Sequence, residues 1–175
     1  MTKIQKMLIW AFCLLLAPAS KVAGQTIEQQ QRVTLKGLKR IGVVVERSLD
    51  ASLRNYGLDE GQLQTEAEIR VRQAGIHVLP IEEIKKEPGQ PFLYIVVTAE
   101  SRPQLGLSDL FFYKIRVELE QEVLLVRDPS IMAPGVPTWQ VISMGTVGRN
   151  NLRDIRQSVE DTINQFINAY LAANQ

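Results

Sequence analysis

The sequence predicts an α+β domain: a mixed, largely antiparallel sheet of about five strands with two helices on one face, in the order β-α-β-β-β-β-α. Two runs, "RIGVVVE" (40–46) and "FLYIVVTAE" (92–100), are apolar on both alternating faces, which is typical of central strands. A capped helical pattern separates these runs, and a second helical stripe ends the chain. Because each helix has a single apolar stripe, both are expected to cover one face of the sheet.

The first 24 residues have the layout of a secretory signal peptide. Lys3 and Lys6 precede the apolar run "MLIWAFCLLLA" (7–17), and small residues follow it. This run is shorter than the roughly 20 residues that span a bilayer, which favours a signal peptide over a transmembrane helix. The alternative interpretation of the run is a buried or membrane-anchoring helix. We expect cleavage after Gly24, or else after Ala19, and export to the periplasm or the extracellular space.

The predicted mature chain contains no cysteine, because the one cysteine, Cys13, lies inside the apolar run. This excludes disulfides, thiol catalysis and cysteine metal ligation. Loss of Lys3, Lys6 and Lys21 with the signal peptide lowers the formal net charge from +1 to −2. A charge this small gives no strong field that would attract nucleic acid or an anionic membrane.

The rest of the chain is expected to form a polar segment and a single domain. Residues 25–37 are polar and glutamine-rich, and they are expected to form a tail or a short edge strand. Residues 38–175 are enough for one hydrophobic core and contain no internal repeat. The first helix of this domain is expected at residues 60–74, with Asp59 as its N-cap and Gly75 as a left-handed residue at its end.

The later elements are expected to form a meander of strands and a terminal helix. After the short extended stretch "IHVLP" (76–80) come the central run at 92–100, a long strand near 110–128 and a last strand at 138–148. The first strand, which is joined through a helix, can lie parallel to a later strand. Asn151 is the expected cap of the last helix. The apolar stripe of this helix comprises Ile155, Val159, Ile163, Phe166, Ile167, Tyr170 and Leu171.

Three glutamates alternate along the long strand in "KIRVELEQEV" (114–123). Glu118, Glu120 and Glu122 share one strand face at a spacing of about 6.8 Å, so they form a ladder and not a cluster. No apolar residue flanks them on that face to raise a carboxyl pKa for general acid–base catalysis. We therefore interpret them as a solvated face, and a hydrolase that uses Glu118 or Glu120 is the alternative.

The sequence contains none of the common catalytic or nucleotide-binding motifs. His77 is the single histidine and has no carboxylate partner at helical or strand spacing, so we expect a half-buried strand residue. The chain has no G-x-S-x-G elbow and no glycine-rich phosphate loop. These observations favour a non-enzymatic protein without catalytic residues, and no cofactor or metal is expected.

The stretch "PSIMAPGVP" (129–137) is expected to form a proline-stiffened loop between the last two strands. Its apolar residues Ile131, Met132 and Val136 are costly in water unless they pack back on the sheet or bind a partner. Trp139 follows this loop and can report on it by fluorescence. Partner binding by Ile131, Met132, Val136 and Trp139 is our prediction, and packing of the loop against the sheet is the alternative.

Three segments carry a resemblance to known proteins: "GLDEGQLQTEAEIRVRQAGI", "TWQVISMGTVG" and "DTINQFINAYLAAN". Together they resemble a helix, a strand and a terminal helix of uncharacterised exported bacterial proteins. The element order is similar to that of small periplasmic α+β domains, such as the N-terminal domain of TolB-like proteins. The resemblance implies contact within envelope assemblies and not catalysis, and it transfers no site residues.

The sequence therefore favours an exported, non-enzymatic binding domain that docks to an envelope protein partner. A small-ligand carrier and a hydrolase with strand carboxylates are the alternatives. The expected contact surfaces are the open sheet face, the 129–137 loop, the 25–37 segment and a free strand edge. A second apolar loop, "RPQLGLSDLFF", can lie at the other end of the long strand. Neither nucleic-acid binding nor stable membrane insertion after signal cleavage is expected.

Overall fold

The computed structural model describes residues 26–46, Leu53, Tyr56 and 58–175. The predicted signal peptide and its cleavage sites lie outside the described residues, as does most of the connection after the first strand. The described part contains four helices, two short 3-10 turns and five strands. In chain order these are α1 (Ile27–Val33), β1 (Arg40–Val45), α2 (Glu60–Gln73), β2 (His77–Val78), α3 (Ile81–Ile84), β3 (Phe92–Arg102), a 3-10 turn (Pro103–Leu105), β4 (Leu107–Leu125), β5 (Asp128–Gly148), a second 3-10 turn (Arg149–Asn151) and α4 (Arg153–Ala173).

The strands form one sheet in the order β2-β1-β3-β4-β5. β1 is parallel to both β2 and β3, whereas β3, β4 and β5 form an antiparallel meander. β1 and β3 are internal strands, as their two-sided apolar pattern predicts. The α+β class, the five-stranded mixed sheet and the β-α-β-β-β-β-α order are thus confirmed, with the short helices α1 and α3 as additions.

One hydrophobic core lies between the sheet and the helices α2 and α4. In β3, Leu93, Ile95 and Val97 are fully buried on one face, and alternate residues of β1, β4 and β5 continue this face. The α4 stripe is confirmed from Ile155 to Phe166. Leu171 was expected in the stripe but is exposed, because five residues after Phe166 it lies about 140° around the helix.

The two long helices begin differently. The α2 N-terminus is as predicted, since the Gln62 amide donates to the Asp59 carboxylate over 3.0 Å. Gly75 follows the helix with φ +86°, the left-handed conformation expected of it. The expected Asn151 cap of α4 is wrong, because Asn151 belongs to the 3-10 turn and α4 begins after Leu152 without a side-chain cap.

The expectation of a tail or edge strand at residues 25–37 is wrong, because most of this segment forms helix α1. The Gln29 amide donates to the Thr26 hydroxyl, and the Thr26 amide donates to the Gln29 side chain, which completes a capping box. The spacing T-x-x-Q is visible in the sequence and would have predicted this helix. Leu35, just after α1, is fully buried and joins the segment to the core.

The expected loop at residues 129–137 is also wrong, because these residues belong to β5. β4 ends at Leu125, and β5 pairs with it from the turn at residues 126–127 onward. Three register shifts place extra residues in β5, which bends the strand while keeping it paired. The prolines of this stretch are tolerated because β5 is the edge strand of the sheet.

Candidate functional site

The β4–β5 hairpin extends past the rest of the sheet. Phe92, the first residue of β3, lies opposite Glu120, and the Glu122 amide donates to the Gly89 carbonyl over 2.7 Å. Beyond this point, among the described residues, β4 and β5 pair only with each other. We call this two-stranded extension, residues 123–136, the arm.

Every residue of the arm is at least partly exposed to solvent. Met132 is 54% exposed and pairs with the exposed Leu124 on the other strand of the arm. Val126 in the turn is 98% exposed, and Ile131 is exposed beside Met132. A hydrophobic core needs further strands or a helix packed against a hairpin, and no residue of the arm is buried. The apolar side chains of the arm therefore form a surface patch.

Hydrogen bonds order β5 locally at the tip of the arm and join its two strands at the base. At the tip, the amide and hydroxyl of Ser130 donate to the Asp128 carboxylate over 3.0 and 2.6 Å, and these bonds lower the pKa of Asp128. At the base, the Gln121 amide group donates to the Thr138 hydroxyl over 2.7 Å. That hydroxyl donates in turn to the Leu119 carbonyl over 3.2 Å. The extra residue of the basal bulge is therefore fixed by side chains.

The structure separates the four predicted binding residues into two groups. Ile131 and Met132 are exposed on the arm, and Val136 is half-buried at its base. Trp139 lies in the core, 5% exposed, with its ring edge-on to Phe166 at 5.3 Å between centroids. Partner binding by this set stays a prediction, and the arm residues are the ones that a partner can reach.

The second apolar segment lies at the opposite end of the sheet. Leu105 sits in the 3-10 turn between β3 and β4 and is 69% exposed. Since β3 and β5 both run antiparallel to β4, the β3–β4 and β4–β5 connections lie at opposite ends of β4. The two apolar segments do not form one patch, and Leu105 provides a matched control for the arm.

The glutamates of β4 are not a uniformly solvated ladder. Glu118 is only 3% exposed, and Glu120 and Glu122 are half-buried. Tyr94 on β3 and Gln140 on β5 flank Glu118 directly in the sheet. The expectation of a solvated face is therefore wrong for Glu118, because cross-strand neighbours that are remote in the sequence surround its carboxylate.

Charged and hydroxyl groups from β3, β4 and Glu46, the residue after β1, meet on this open face. Arg116 Nε lies 3.4 Å from the Glu118 carboxylate, and the Tyr94 hydroxyl donates to Glu46 over 3.1 Å. Burial and the Glu118 charge raise the pKa of Glu120, and Arg116 partly opposes this shift. Burial and the hydrogen bond to Glu46 raise the pKa of Tyr94. Sequence reasoning missed Glu46 and Tyr94, because strand pairing alone brings them to this cluster.

His77 lies in β2, as a strand residue, but it is exposed and not half-buried. β2 is a two-residue edge strand, so the side chain has a neighbouring strand on one side only. In the part of the chain that the structure describes, no three His, Cys, Asp or Glu side chains are grouped so that they could hold a metal ion.

An open groove of about 490 Å³ lies between α1, α4 and residues 139–141 of β5. Its lining combines the apolar residues Trp139, Val141 and Ala169 with charged and amide side chains such as Glu28, Arg32 and Gln165. An apolar ligand in this open groove would desolvate the charged and amide groups without giving them hydrogen bonds. The carrier alternative gains no support from this groove.

Comparison with protein-family models and with curated proteins finds no match for this chain. The resemblance to exported bacterial proteins and to TolB-like domains therefore stays a prediction. Within residues 26–46 and 58–175, no helix has both the length and the apolar character needed to cross a membrane.

Proposed function

We propose that the protein is an exported, non-enzymatic binding domain that docks to an envelope protein partner through the arm. The observation that carries this proposal is the exposed Leu124–Met132 pair, with Val126 at the tip, on a segment in which no residue is buried. Apolar side chains grouped on a projecting hairpin are typical of a protein-binding surface. The signal-peptide pattern at the N-terminus supports export.

The construction of the arm favours binding without a large loss of conformational entropy. Pro129 and Pro134 restrict the backbone of β5, the Asp128–Ser130 bond orders the residues after the turn, and the Thr138 hydroxyl joins β5 to β4 at the base. A segment that is ordered before binding loses less freedom when a partner binds. The arm can therefore present its apolar side chains in a fixed arrangement.

A photo-crosslinking residue at position 132 tests this proposal directly. The full chain, with its own N-terminal segment, is expressed in the native host, and adducts are identified by mass spectrometry. We expect one dominant protein adduct from position 132 and none from position 105 at the other end of the sheet. An exported and folded protein that gives no protein adduct would contradict docking through the arm.

Met132→Asp provides the matching loss-of-binding prediction. We expect this variant to lose the captured partner while its melting temperature stays at the parent value, because Met132 is exposed and packs no core. Leu105→Asp, at a more exposed apolar residue away from the arm, should keep the partner. Capture of the partner by Met132→Asp at the parent level would remove the arm from the proposal.

A hydrolase is the second candidate, and the raised pKa of Glu120 beside the buried Glu118 is the observation that favours it. A half-buried carboxyl that holds its proton at higher pH is suited to general acid catalysis. Glu120→Gln and Glu118→Gln would then abolish turnover on a panel of glycosides and esters, whereas Glu100→Gln on the same sheet face would not. Absence of turnover by the parent protein on this panel counts against the candidate.

A further inference from the structure

The two edges of the sheet are built differently. The β2 edge is only two residues long. Beyond it, the side chain of Gln64 in α2 forms hydrogen bonds with backbone groups of β1. The Val45 amide donates to the Gln64 side chain over 2.9 Å, and the Gln64 amide group donates to the Val43 carbonyl over 2.7 Å. Within the residues that the structure describes, this edge therefore offers no strand-length run of free backbone groups.

β5 forms the other edge of the sheet. Its two parts differ in how well their backbone suits pairing with a further strand. Residues 128–137 contain Pro129, Pro134 and Pro137 and adjoin all the register shifts with β4, which are features that discourage pairing with a further strand. Residues 139–148 pair with β4 without a shift and contain neither proline nor a charged residue. Among the described residues, no strand pairs with the outer side of this regular segment.

Two exposed apolar side chains lie along the regular segment. Ile142 is 46% exposed and Met144 is 73% exposed, and as alternate residues they share the open face of the sheet. Their neighbours on the inner side are Arg116 and Lys114 of β4. A strand added to the outer side would cover both apolar side chains and satisfy the free backbone groups of β5.

We propose that a second copy of this chain pairs with the 139–148 edge in the antiparallel direction, with Ser143 on the two-fold axis. Directly opposed residues of antiparallel strands share a sheet face, so the axis must pass through a residue and not between two residues. With Ser143 on the axis, Ile142 of each copy lies opposite Met144 of the other. This register covers all four exposed apolar side chains together.

The absence of charge in the segment favours a second copy over an unrelated strand. A two-fold pairing opposes the segment to itself, and like charges directly opposite each other destabilise a sheet. Here Gln140 opposes Thr146 and Ser143 opposes Ser143, and no charged residue of one copy opposes a charged residue of the other. The product is a ten-stranded sheet with all α2 and α4 helices on one side. Its two arms project from opposite ends and stay free for a partner.

Sedimentation of the purified protein over a concentration series tests the association. We expect a monomer–dimer equilibrium in the micromolar range, as edge pairing buries a modest area. Met144→Glu should weaken it by at least about tenfold, which corresponds to about 1.4 kcal/mol. The introduced carboxylate faces Lys114 within its own chain, so the fold is retained, whereas pairing would bury it against Ile142 of the other copy.

Disulfide trapping tests the register independently of stability. In a Cys13→Ser background the chain has no other cysteine. When Ile142→Cys and Met144→Cys proteins are mixed and oxidised, the mixed disulfide should exceed both homodisulfides, because only this pair is directly opposed. Met132→Cys on the arm, a comparably exposed position, should give no comparable crosslink.

Several results would overturn the proposal. These are a protein that stays monomeric up to about millimolar concentration, an association that Met144→Glu leaves at parent strength, and a homodisulfide that dominates the mixture. Capture of a strand from a different protein at this edge, in place of a second copy, would also overturn it. The proposed docking function is tested separately, since Met132→Asp should dimerise normally and Met144→Glu should keep the partner of the arm.

Discussion

Glu120 makes the stability of the protein depend on pH. Burial and the nearby Glu118 raise its pKa above the ordinary value, and Arg116 opposes part of this shift. Folding therefore favours the protonated carboxyl. The contribution of Glu120 to the free energy of unfolding is fully present below the ordinary glutamate pKa. It is lost as the pH rises through the raised pKa that Glu120 has in the folded protein.

Glu120→Gln should remove this dependence, because glutamine keeps the shape of the side chain and does not ionise. At neutral pH we expect the variant to be more stable than the parent, by no more than about 1 kcal/mol since solvent screens a half-buried charge. At pH values below the ordinary glutamate pKa the two proteins should be equally stable. Urea unfolding followed by circular dichroism across this range measures the difference, with Glu100→Gln as the control for removing a charge from the same face.

A parent-like pH profile for Glu120→Gln would show that the carboxyl is solvated when folded. The sequence predicted this solvated state, because the flanking residues in β4 are polar. The structure differs because Phe92 and Pro137 flank Glu120 from the adjacent strands, in addition to the buried Glu118 two residues before it. Cross-strand neighbours cannot be read from a single strand, since they depend on the register of pairing.

Gly145 illustrates the same dependence on a neighbouring strand. A Cβ added at this position would lie 2.6 Å from the Tyr113 hydroxyl oxygen, which is closer than a normal contact. Tyr113 is directly opposite Gly145 and crosses above it to the Ser158 hydroxyl of α4, 3.2 Å away. The glycine in the strand "TWQVISMGTVG" thus provides space for a tyrosine that links the sheet to a helix.

At the scale of single elements, α2 both covers the core and closes a sheet edge. Its Leu63, Ala67 and Val71 are buried, as the helical period predicts. Gln64, one residue beyond that stripe, satisfies the Val45 amide and the Val43 carbonyl of β1. A glutamine on a helix surface gives no sign of this role in the sequence, because the role depends on where the helix crosses the strand.

Gln64→Ala should therefore cost more than a surface substitution. It leaves the Val45 amide and the Val43 carbonyl without their partner in a partly buried position, and we expect the free energy of unfolding to fall by about 1–3 kcal/mol. Gln62→Ala, at an exposed position of the same helix, should change it by less than about 0.5 kcal/mol. Equal effects of the two substitutions in chemical denaturation would show that the β1 edge does not depend on Gln64.

The elements that the sequence predicted correctly are those with a local signal. The cap and stripe of α2 and the central runs of β1 and β3 are continuous patterns within one segment. The extension of β5 through residues 129–137 was missed, because prolines normally mark a loop and are compatible with a strand only at a sheet edge. Which strand lies at the edge is a property of the whole sheet.

At the scale of the whole molecule, charged side chains join α2 to α4 outside the core. Arg70 of α2 donates to Glu160 of α4, and Arg156 of α4 donates to Glu66 of α2. The pairs run in opposite directions between the helices, so each helix contributes one positive and one negative partner. All four side chains are partly buried, which reduces solvent screening of the two pairs.

Asn174 joins the two ends of the described chain. Its amide group donates to the Leu35 carbonyl over 3.0 Å and to the Tyr170 carbonyl over 2.9 Å, and its oxygen accepts from the Gly37 amide over 2.8 Å. One side chain thus holds the end of α4 against the connection between α1 and β1. The segment that sequence reasoning treated as a tail is therefore part of the folded unit.

Asn174→Ala should loosen α1 without unfolding the sheet. The Gly37 amide loses its acceptor and the Leu35 carbonyl loses a donor, so we expect a decrease of about 1 kcal/mol in the free energy of unfolding. Amide hydrogen exchange should accelerate in residues 27–37 and remain at the parent rate in β3, because local opening of α1 leaves the core strands paired. Asn168→Ala, at an exposed position of α4, is the matched control. Unchanged exchange in residues 27–37 would mean that the burial of Leu35 and the hydrogen bond from the Thr34 hydroxyl to the Thr138 carbonyl hold α1 in place without Asn174. Accelerated exchange in β3 would mean that α1 and the sheet unfold as one unit.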